Sequence, residues 1–251
     1  MKVSSKTVCA EAKLHIYTLF RRFRLALVLA QGAAIFYLKW RKKPYSEFYA
    51  KRQDKKALLD PQKAVGGLWE EIGRLQFDFV TSKGLKPEHK LLDLGCGSLR
   101  GGRWFIRYLQ VGNYWGIDIS RNILEAGKRV LVDEGLEDKK PNLIVNQGLT
   151  FKELEGCKFD YILAQSVFTH MPEEDIEECF RNLNKILKPA GVFFATFNEG
   201  YRHRMFHKIA MGFRYPTSLF YSLGEEYGYS VRVDDTFVHP RGLKMLEIRF
   251  K

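Results

Sequence analysis

Apolar residues in positions 61–251 follow two spacings, one typical of helices and one typical of buried strands. In Ala64–Lys83 they recur at every third or fourth position, which predicts an amphipathic helix with Leu68, Ile72, Leu75 and Phe79 on its buried face. Further helices are predicted at Leu99–Leu109, Ser120–Glu134 and Glu173–Leu187. Short apolar runs predict seven strands: His89–Leu94, Tyr114–Ile119, Leu143–Asn146, Phe159–Ala164, Gly191–Phe197, Tyr229–Val233 and Lys244–Phe250.

The alternation of strands and helices predicts the fold class. Helical crossovers between successive strands require parallel strands, so we expect an α/β fold with a doubly wound, mostly parallel seven-stranded sheet. Ligands of such sheets bind beyond the carboxyl ends of the strands. The segments expected at this edge are Gly95–Gly102, Asp118–Ser120, Asn146–Gly148 and Gln165–Met171.

Residues 1–60 differ from the rest of the chain in charge. They hold fourteen Lys and Arg against four Asp and Glu, and so carry most of the net charge of +12. A nucleic-acid-binding protein normally carries its basic footprint on a folded domain, so this distribution does not favour nucleic acid. It favours contact with an anionic membrane surface or another polyanion, with a solubilising tail as the equal alternative.

The segment Leu25–Leu38 is almost wholly apolar and has basic residues on both sides. As a helix it would span roughly 21 Å, less than the roughly 30 Å of a bilayer core. The stretch before it has the pattern of an amphipathic helix. Residues 14–43 therefore predict either peripheral contact with an anionic membrane or a helix packed on the domain, whereas a signal peptide is disfavoured because the preceding basic region is too long.

These patterns divide the chain in two. Residues 1–60 are expected to form a basic N-terminal helical extension, whose part 41–60 is a charged connection, and residues 61–251 the globular domain. The four cysteines are scattered, without a C-x-x-C pair or zinc-ligand spacing, which suits a reducing compartment and no metal site. We expect a cytoplasmic protein, peripheral at a membrane.

A glycine-containing loop, Gly95-Cys96-Gly97, follows the first predicted strand. Glycine suits this place because the chain must turn sharply while a ligand approaches the backbone closely. Asp118 comes 21 residues after Gly97, at the end of the second strand. A carboxylate there can accept both hydrogen bonds of a ribose diol, so the two features predict a nucleoside-containing ligand.

Two details distinguish a dinucleotide from S-adenosylmethionine. The dinucleotide pattern G-x-G-x-x-G is not met, because Arg100 stands where the third glycine belongs. Asp93 lies two residues before Gly95, where a carboxylate repels a pyrophosphate but suits a ligand with an ammonium and a sulfonium group. Both details favour S-adenosylmethionine.

Four motifs, in a fixed order, resemble those of class I S-adenosylmethionine-dependent methyltransferases. LLDLGCG resembles their first motif, WGIDIS their acidic second motif, FDYILAQSVFTHMP the stretch around their fourth strand, and LNKILKPAGVFFATFN the entry to their fifth. The resemblance covers about residues 64–250, and the order of the motifs is more specific than any one of them. It implies a Rossmann-like fold, S-adenosyl-L-methionine as cofactor, and a methyltransferase that transfers a methyl group.

The resemblance also implies which residues contact the cofactor, in three groups along the sheet edge. The methionyl portion is expected beside Asp93, Gly95, Cys96, Gly97 and Gln165. The ribose is expected at Asp118, and the adenine beside Ile119, Gln147 and Gly148.

One position departs from the family pattern. Many members carry a third glycine where this chain has Leu99. The path of the loop after Ser98 is therefore open at this point, with Gly101 and Gly102 as the glycines that could compensate.

His170 is the candidate catalytic residue, as a general base. It follows the fourth predicted strand at the ligand edge, and its imidazole titrates near neutrality. A base is needed only when the acceptor is a poor nucleophile, such as a sugar hydroxyl. The competing interpretation is a histidine that caps the helix starting near Pro172. Weaker candidates are His203, His207 and His239, the last in a turn expected far from the cofactor.

The acceptor is expected to be a small molecule, a lipid or a glycan precursor. Residues 198–218 form a basic, aromatic insertion where the resembling fold often covers its acceptor pocket, which would suit an acidic or phosphorylated acceptor; a solvated helix is the equal alternative. The chain has Ala-Gln-Ser-Val after its fourth strand, not the Asn-Pro-Pro-Tyr type of many amino- and base-methylating relatives, which favours O- or C-methylation.

Two other functions remain open from the sequence. The chain could be a non-catalytic S-adenosylmethionine-binding protein that recruits partners or a membrane through its extension. A nucleotide-dependent oxidoreductase is the third hypothesis, and Arg100 and Asp93 disfavour it.

Overall fold

A computed structural model describes residues 45–200 and 212–251 of the chain. Within those residues the strands are β1 (Leu91–Leu94), β2 (Tyr114–Asp118), β3 (Asn142–Val145), β4 (Phe159–Ala164), β5 (Leu187–Phe197), β6 (Tyr229–Asp234) and β7 (Lys244–Phe250). The α-helices are α1 (Tyr45–Leu59), α2 (Pro61–Ala64), α3 (Trp69–Ser82), α4 (Gly102–Tyr108), α5 (Arg121–Asp133), α6 (Glu173–Asn182) and α7 (Thr217–Tyr227). Short 3-10 helices include Phe168–His170, directly after β4.

The strands form a sheet of order β3-β2-β1-β4-β5-β7-β6. Strands β1 to β5 run parallel, and β7 runs antiparallel to both β5 and β6. The chain passes from β1 outward to β3 and then returns to β4 on the other side of β1, so the direction of winding switches between β1 and β4. The predicted fold class, a doubly wound and mostly parallel seven-stranded sheet, is confirmed, and the rule for such sheets places a ligand above β1 and β4.

Apolar side chains cover both faces of the sheet, as parallel strands with helical crossovers require. Alternate residues of β1 enter two separate hydrophobic clusters: Leu92 packs with Phe159 and Phe193, while Leu91 packs with Phe105. Strand β1 is buried along its whole length. The central strands are thus held rigidly, and their carboxyl ends form a fixed edge on which loops can carry a site.

The first helix of the globular domain begins later than its apolar spacing predicts. We expected a helix from Ala64, but α3 starts at Trp69, and Leu68 lies outside it with φ 49° and an exposed side chain. The reason is a left-handed run of the backbone, since Gly66 and Gly67 also have positive φ angles. Three such residues in a row end any helical path before position 69.

Residues 45–59, expected to be part of a charged connection, form helix α1. Its Asp54 side chain accepts hydrogen bonds from the Ser120 hydroxyl and from the backbone N–H of Asn122, both at the start of α5. These residues pack with the sheet domain because a carboxylate satisfies the free N–H groups at a helix N-terminus. Ser120 itself caps α5 by accepting from the N–H of Ile123, as its position predicted.

Several predictions concern parts of the chain that lie outside the described residues: the membrane-contact segment 14–43, His203, His207 and most of the insertion 198–218. Among residues 45–200 and 212–251, none of the helices has the length and apolarity needed to cross a bilayer.

Candidate functional site

A cleft of about 520 Å³ opens at the carboxyl edge of β1, β2 and β4. It lies where the sheet switches its winding direction. All ten residues singled out from the sequence line it, although their individual roles stay predictions: Asp93, Gly95, Cys96, Gly97, Asp118, Ile119, Gln147, Gly148, Gln165 and His170.

The loop after β1 requires glycine at two places. Gly95 and Gly97 have φ angles of 72° and 59°, in the left-handed region. A Cβ atom on Gly95 would lie 2.6 Å from a methyl carbon of Val167, and one on Gly97 would lie 2.5 Å from a methyl carbon of Val65. Larger residues would therefore clash as well as strain the backbone. At these two positions the loop presents backbone without side chains to the cleft.

Leu99 also adopts a left-handed conformation, with φ 68°. A residue with a Cβ pays a conformational cost there, but the Leu99 side chain is fully buried. Two glycines make room for it: a Cβ on Gly102 would lie 2.8 Å from Leu99 Cδ2, and one on Gly127 would lie 3.0 Å from Leu99 Cγ. The chain thus has a left-handed backbone at this position with a leucine, and Gly102 and Gly127 make room for the leucine side chain.

Asp118 ties two loops of the cleft together. One carboxylate oxygen accepts from the N–H of Gly97 at 3.0 Å and the other from the N–H of Ser120 at 2.9 Å. Burial raises the pKa of Asp118 to about 6, and the backbone donors oppose this rise. Each oxygen keeps a further lone pair, so the same carboxylate can still accept hydrogen bonds from hydroxyl groups of a ligand.

Asp93 is a buried carboxylate below the glycine loop. It accepts a hydrogen bond from the Tyr114 hydroxyl at 2.8 Å. Burial, with a smaller contribution from the charge of Asp118, raises the pKa of Asp93 to about 7, and the hydrogen bond from Tyr114 opposes this rise. Two close carboxylates in a buried place favour a cation, because a positive charge stabilises their ionised forms.

Among the buried polar atoms that lack hydrogen-bond partners within the described part of the chain, two belong to cleft residues that directly follow strands, Gln165 after β4 and Asn146 after β3. Gln165 is 7% exposed, and its Oε1 has no donor; its amide nitrogen donates to the Ser166 hydroxyl. Asn146 is also 7% exposed, and its Nδ2 has no acceptor, while its Oδ1 accepts from the N–H of Gly148. Orphaned groups of this kind are costly unless a ligand completes them.

These orphaned atoms fit S-adenosylmethionine. The acceptor on Gln165 lies at the β4 end, where an ammonium would complete it. The donor on Asn146 lies at the β3 end, where an adenine nitrogen would accept. Asn146 was not among the predicted contact residues; the signal for it was its position directly after β3.

Helix α1 forms a roof over the cleft with one face. Tyr45, Tyr49, Gln53 and Lys56 line the cleft, at the spacing of one helical stripe. The Tyr45 ring meets the edge of the Phe213 ring at 5.6 Å between centroids. The sequence shows this stripe, but its partners are too distant along the chain to be inferred from it.

A second part of the roof, residues 61–67, is held by three side chains from two loops. The Ser98 hydroxyl donates to the carbonyl of Pro61, and Arg100 Nη1 donates to the carbonyls of Val65 and Gly67. Arg241 Nη2 donates to the carbonyl of Gly66. Arg241 belongs to the turn between β6 and β7, which sequence reasoning placed far from the cofactor; the turn in fact reaches the cleft through this side chain.

His170 lies at the end of the cleft beyond β4. Its ring stacks on Tyr49 with 5.6 Å between centroids and an interplanar angle of 28°. The N-cap position of α6 is Pro172, so His170 is not the cap residue. Nearby Asp175 also lines the cleft, and burial together with Glu178 raises the pKa of Asp175 to about 6. This end therefore offers an imidazole, phenol groups and a carboxyl group to a second ligand.

Comparison with known proteins finds a methyltransferase domain within this chain. A family model described as a methyltransferase domain matches residues 92–193. An uncharacterized protein, RP028, of Rickettsia prowazekii (strain Madrid E) is 31% identical over 43% of this chain and 42% of its own length. The methyltransferase GfsG of Streptomyces halstedii is 33% identical over 41% of this chain and 35% of its own length. The chain thus matches less than half the length of these relatives.

The fold also matches solved structures. The magnesium protoporphyrin IX methyltransferase ChlM from Synechocystis PCC 6803, crystallised with bound SAM, superposes with a TM-score of 0.55 at 16% identity. The match covers 72% of this chain and 81% of that one. Likeness at this identity shows the fold, and together with the family model it confirms the resemblance inferred from the four motifs.

Proposed function

We propose that this chain, which belongs to the class I S-adenosylmethionine-dependent methyltransferase family, transfers a methyl group from S-adenosylmethionine to a small-molecule, lipid or glycan-precursor acceptor. One observation carries the proposal: the cleft holds a buried acceptor on Gln165 and a buried donor on Asn146, neither with a protein partner among the described residues. Asp118 lies between them in the order of the strands. This sequence of groups complements an amino-acid end, a ribose and an adenine.

The chain's own residues would hold the cofactor as follows. Gln165 Oε1 would accept from the ammonium, and the carboxylate of Asp93 would stabilise the positive charge of the ammonium and the sulfonium. Asp118 would accept from the ribose hydroxyls, and Asn146 Nδ2 would donate to the adenine. When bound, the cofactor supplies an electrophilic methyl group, and the protein contributes alignment and exclusion of water.

The acceptor is proposed to bind under α1, beyond β4. Tyr49 and His170 form a stacked wall there, and Tyr45 closes the space together with Phe213. Burial raises the pKa values of Tyr45 and Tyr49, so both phenols stay protonated and can donate hydrogen bonds. His170 is proposed to remove the proton of a hydroxyl acceptor as the new bond to oxygen forms, which fits O-methylation.

Titration calorimetry tests the cofactor part of the proposal. S-adenosylmethionine and S-adenosylhomocysteine should bind to the full chain, whereas NAD should not, because Asp93 repels its pyrophosphate. Tight binding of NAD with no response to S-adenosylmethionine would refute the proposal.

We also propose that the protein meets an anionic membrane surface. Support comes from the charge of residues 1–60 and from the outer face of α1, where Leu58 and Leu59 are 75% and 82% exposed beside the exposed Lys51 and Lys55. Lysines near exposed leucines suit a surface that combines anionic headgroups with an apolar boundary.

Co-sedimentation of the full chain with anionic vesicles tests this contact. The double variant Leu58→Ser and Leu59→Ser should pellet less than the unchanged protein, and removal of residues 1–40 should lower pelleting further. Val238→Ser is the matched control, because Val238 is 78% exposed in another part of the domain. Equal pelleting of all four proteins would exclude the contact.

A further inference from the structure

Two arginines meet where the roof joins the cleft. Arg100 follows the glycine loop, and Arg241 comes from the turn between β6 and β7; both line the cleft. A Cβ atom on Gly66 would lie 3.0 Å from Arg241 Nη1 and 3.9 Å from Arg100 Nη1, so the two guanidinium groups come together over Gly66. Both donate to roof carbonyls, which are neutral acceptors.

The buried guanidinium of Arg100 lacks a direct ion pair among the described residues. Within residues 45–200 and 212–251 neither arginine forms an ion pair with a carboxylate. Arg100 is 6% exposed, and its Nε is buried without a hydrogen-bond partner. Burial, with a smaller contribution from the charge of Arg241, lowers the pKa of Arg100 to about 10, and the charge of Asp93 opposes this fall. Proteins rarely bury a charge without pairing it, because the desolvation cost is large.

His239 beside these arginines also has a buried polar atom without a hydrogen-bond partner among the residues described. Its ring is buried, Nδ1 accepts from the backbone N–H of Arg241, and Nε2 has no partner in the described part of the chain. Burial, together with the charges of Arg241 and Arg100, lowers the pKa of His239 to about 4, so the imidazole stays neutral. Its neutrality leaves the two arginines as the charged groups of this cluster.

We propose that Arg100 and Arg241 form a subsite for a carboxylate group, and that this carboxylate is the one on the methionyl part of the cofactor. The inference rests on the proposed function, because it assigns a further contact to the same ligand. Arg100 is three residues from Gly97 in the loop that borders the cleft. The charge of Asp93 reaches Arg100, so acidic and basic groups lie side by side here.

This pairing of opposite charges complements an amino acid. The ammonium of a zwitterion suits Asp93 and Gln165 Oε1, and its carboxylate suits the adjoining guanidinium groups, whose planar donors match carboxylate geometry. A carboxylate on the acceptor would satisfy the arginines too, but the acceptor is expected beyond β4, at the His170 end of the cleft. Binding of the carboxylate would also fix residues 65–67 of the roof in place, because both arginines donate to carbonyls there.

The test compares S-adenosylmethionine with decarboxylated S-adenosylmethionine, which keeps the adenosine, the sulfonium and the ammonium. Titration calorimetry on the full chain should show that the complete cofactor binds about tenfold to a hundredfold more tightly, as charge-assisted hydrogen bonds imply. Arg241→Met should reduce this preference to within about threefold, mainly by weakening the complete cofactor. Arg100→Met should do the same, and Arg107→Met, which changes an exposed arginine paired with Glu134, should keep the full preference.

Each outcome decides one claim. If the unchanged protein binds both compounds equally, no cofactor carboxylate is held and the inference is overturned, even if an acceptor carboxylate uses the arginines. A preference that survives in Arg241→Met and Arg100→Met overturns it as well. If Arg100→Met fails to fold because the roof comes loose, Arg241→Met alone decides. If neither compound binds to the unchanged protein, the proposed function itself fails.

Discussion

Leu99→Gly should be more stable than Leu99→Ala, which is the reverse of the usual order at buried positions. At most buried positions glycine is the worse replacement, because it gains more freedom than alanine when the chain unfolds. Leu99 has φ 68° and a fully buried side chain, in the loop that borders the cleft. Glycine relieves the strain of that backbone conformation, whereas alanine keeps it.

The expected free energies of unfolding follow from three contributions. Both variants lose the buried leucine side chain, which costs about 2–5 kcal/mol. The left-handed backbone costs alanine about 1–2 kcal/mol, and the extra unfolded-state freedom of glycine costs about 0.5–1 kcal/mol. Leu99→Gly should therefore be more stable than Leu99→Ala by roughly 0.5–1 kcal/mol.

Leu124 provides the matched control. It is 3% exposed and lies inside helix α5, so Leu124→Gly should be less stable than Leu124→Ala by about 1 kcal/mol. Denaturant unfolding of the four variants measures both differences. If the Leu99 pair shows the same order as the Leu124 pair, Leu99 does not have a left-handed backbone and the described path of the loop is wrong.

Three further predictions concern the cleft. Burial raises the pKa of Asp93 from 3.8 to about 7, so the contribution of Asp93 to the free energy of unfolding of the ligand-free protein should fall as the pH rises through that interval. Asp93→Asn should flatten this fall in denaturant titrations between about pH 4 and about pH 8, and an unchanged slope would refute the assignment. Asp118→Ala should weaken cofactor binding by about 1–3 kcal/mol in calorimetry, and unchanged affinity would refute its proposed ribose contact. For a hydroxyl acceptor, His170→Gln should lower the turnover rate by about 10²–10⁴-fold and remove the lower limb of the pH–rate profile, with little change in cofactor affinity; a profile that keeps this limb would contradict a role as base.

The sheet and the glycine loop could be predicted because their signals are local. The buried strand with its glycine turn is one short motif, and the carboxylate at the end of the next strand belongs to another, each recognisable from a few consecutive residues. The same reasoning placed Asp93, Asp118 and Gln165 at one edge, since the carboxyl ends of parallel strands share an edge. Their convergence on the cleft follows from topology alone.

The roof could not be predicted in the same way. Tyr49 contacts His170, and Arg241 contacts Gly66, across more than a hundred residues of chain. No local pattern reports such contacts, so residues 45–59 were interpreted from their charge as a connection. The prediction that Leu68 lies in a helix was wrong for another reason. Its apolar side chain fits the helical spacing, but the two preceding glycines turn the chain away from a helix.

Transfer of a labelled methyl group distinguishes a methyltransferase from a protein that only binds the cofactor. A host extract is incubated with methyl-labelled S-adenosylmethionine and either the unchanged protein or Asp118→Ala, and products are resolved by mass spectrometry. The account predicts a labelled small molecule, lipid or glycan precursor with the unchanged protein, and far less of it with the variant. Cofactor binding without any labelled product would contradict the claim and favour a non-catalytic binding protein.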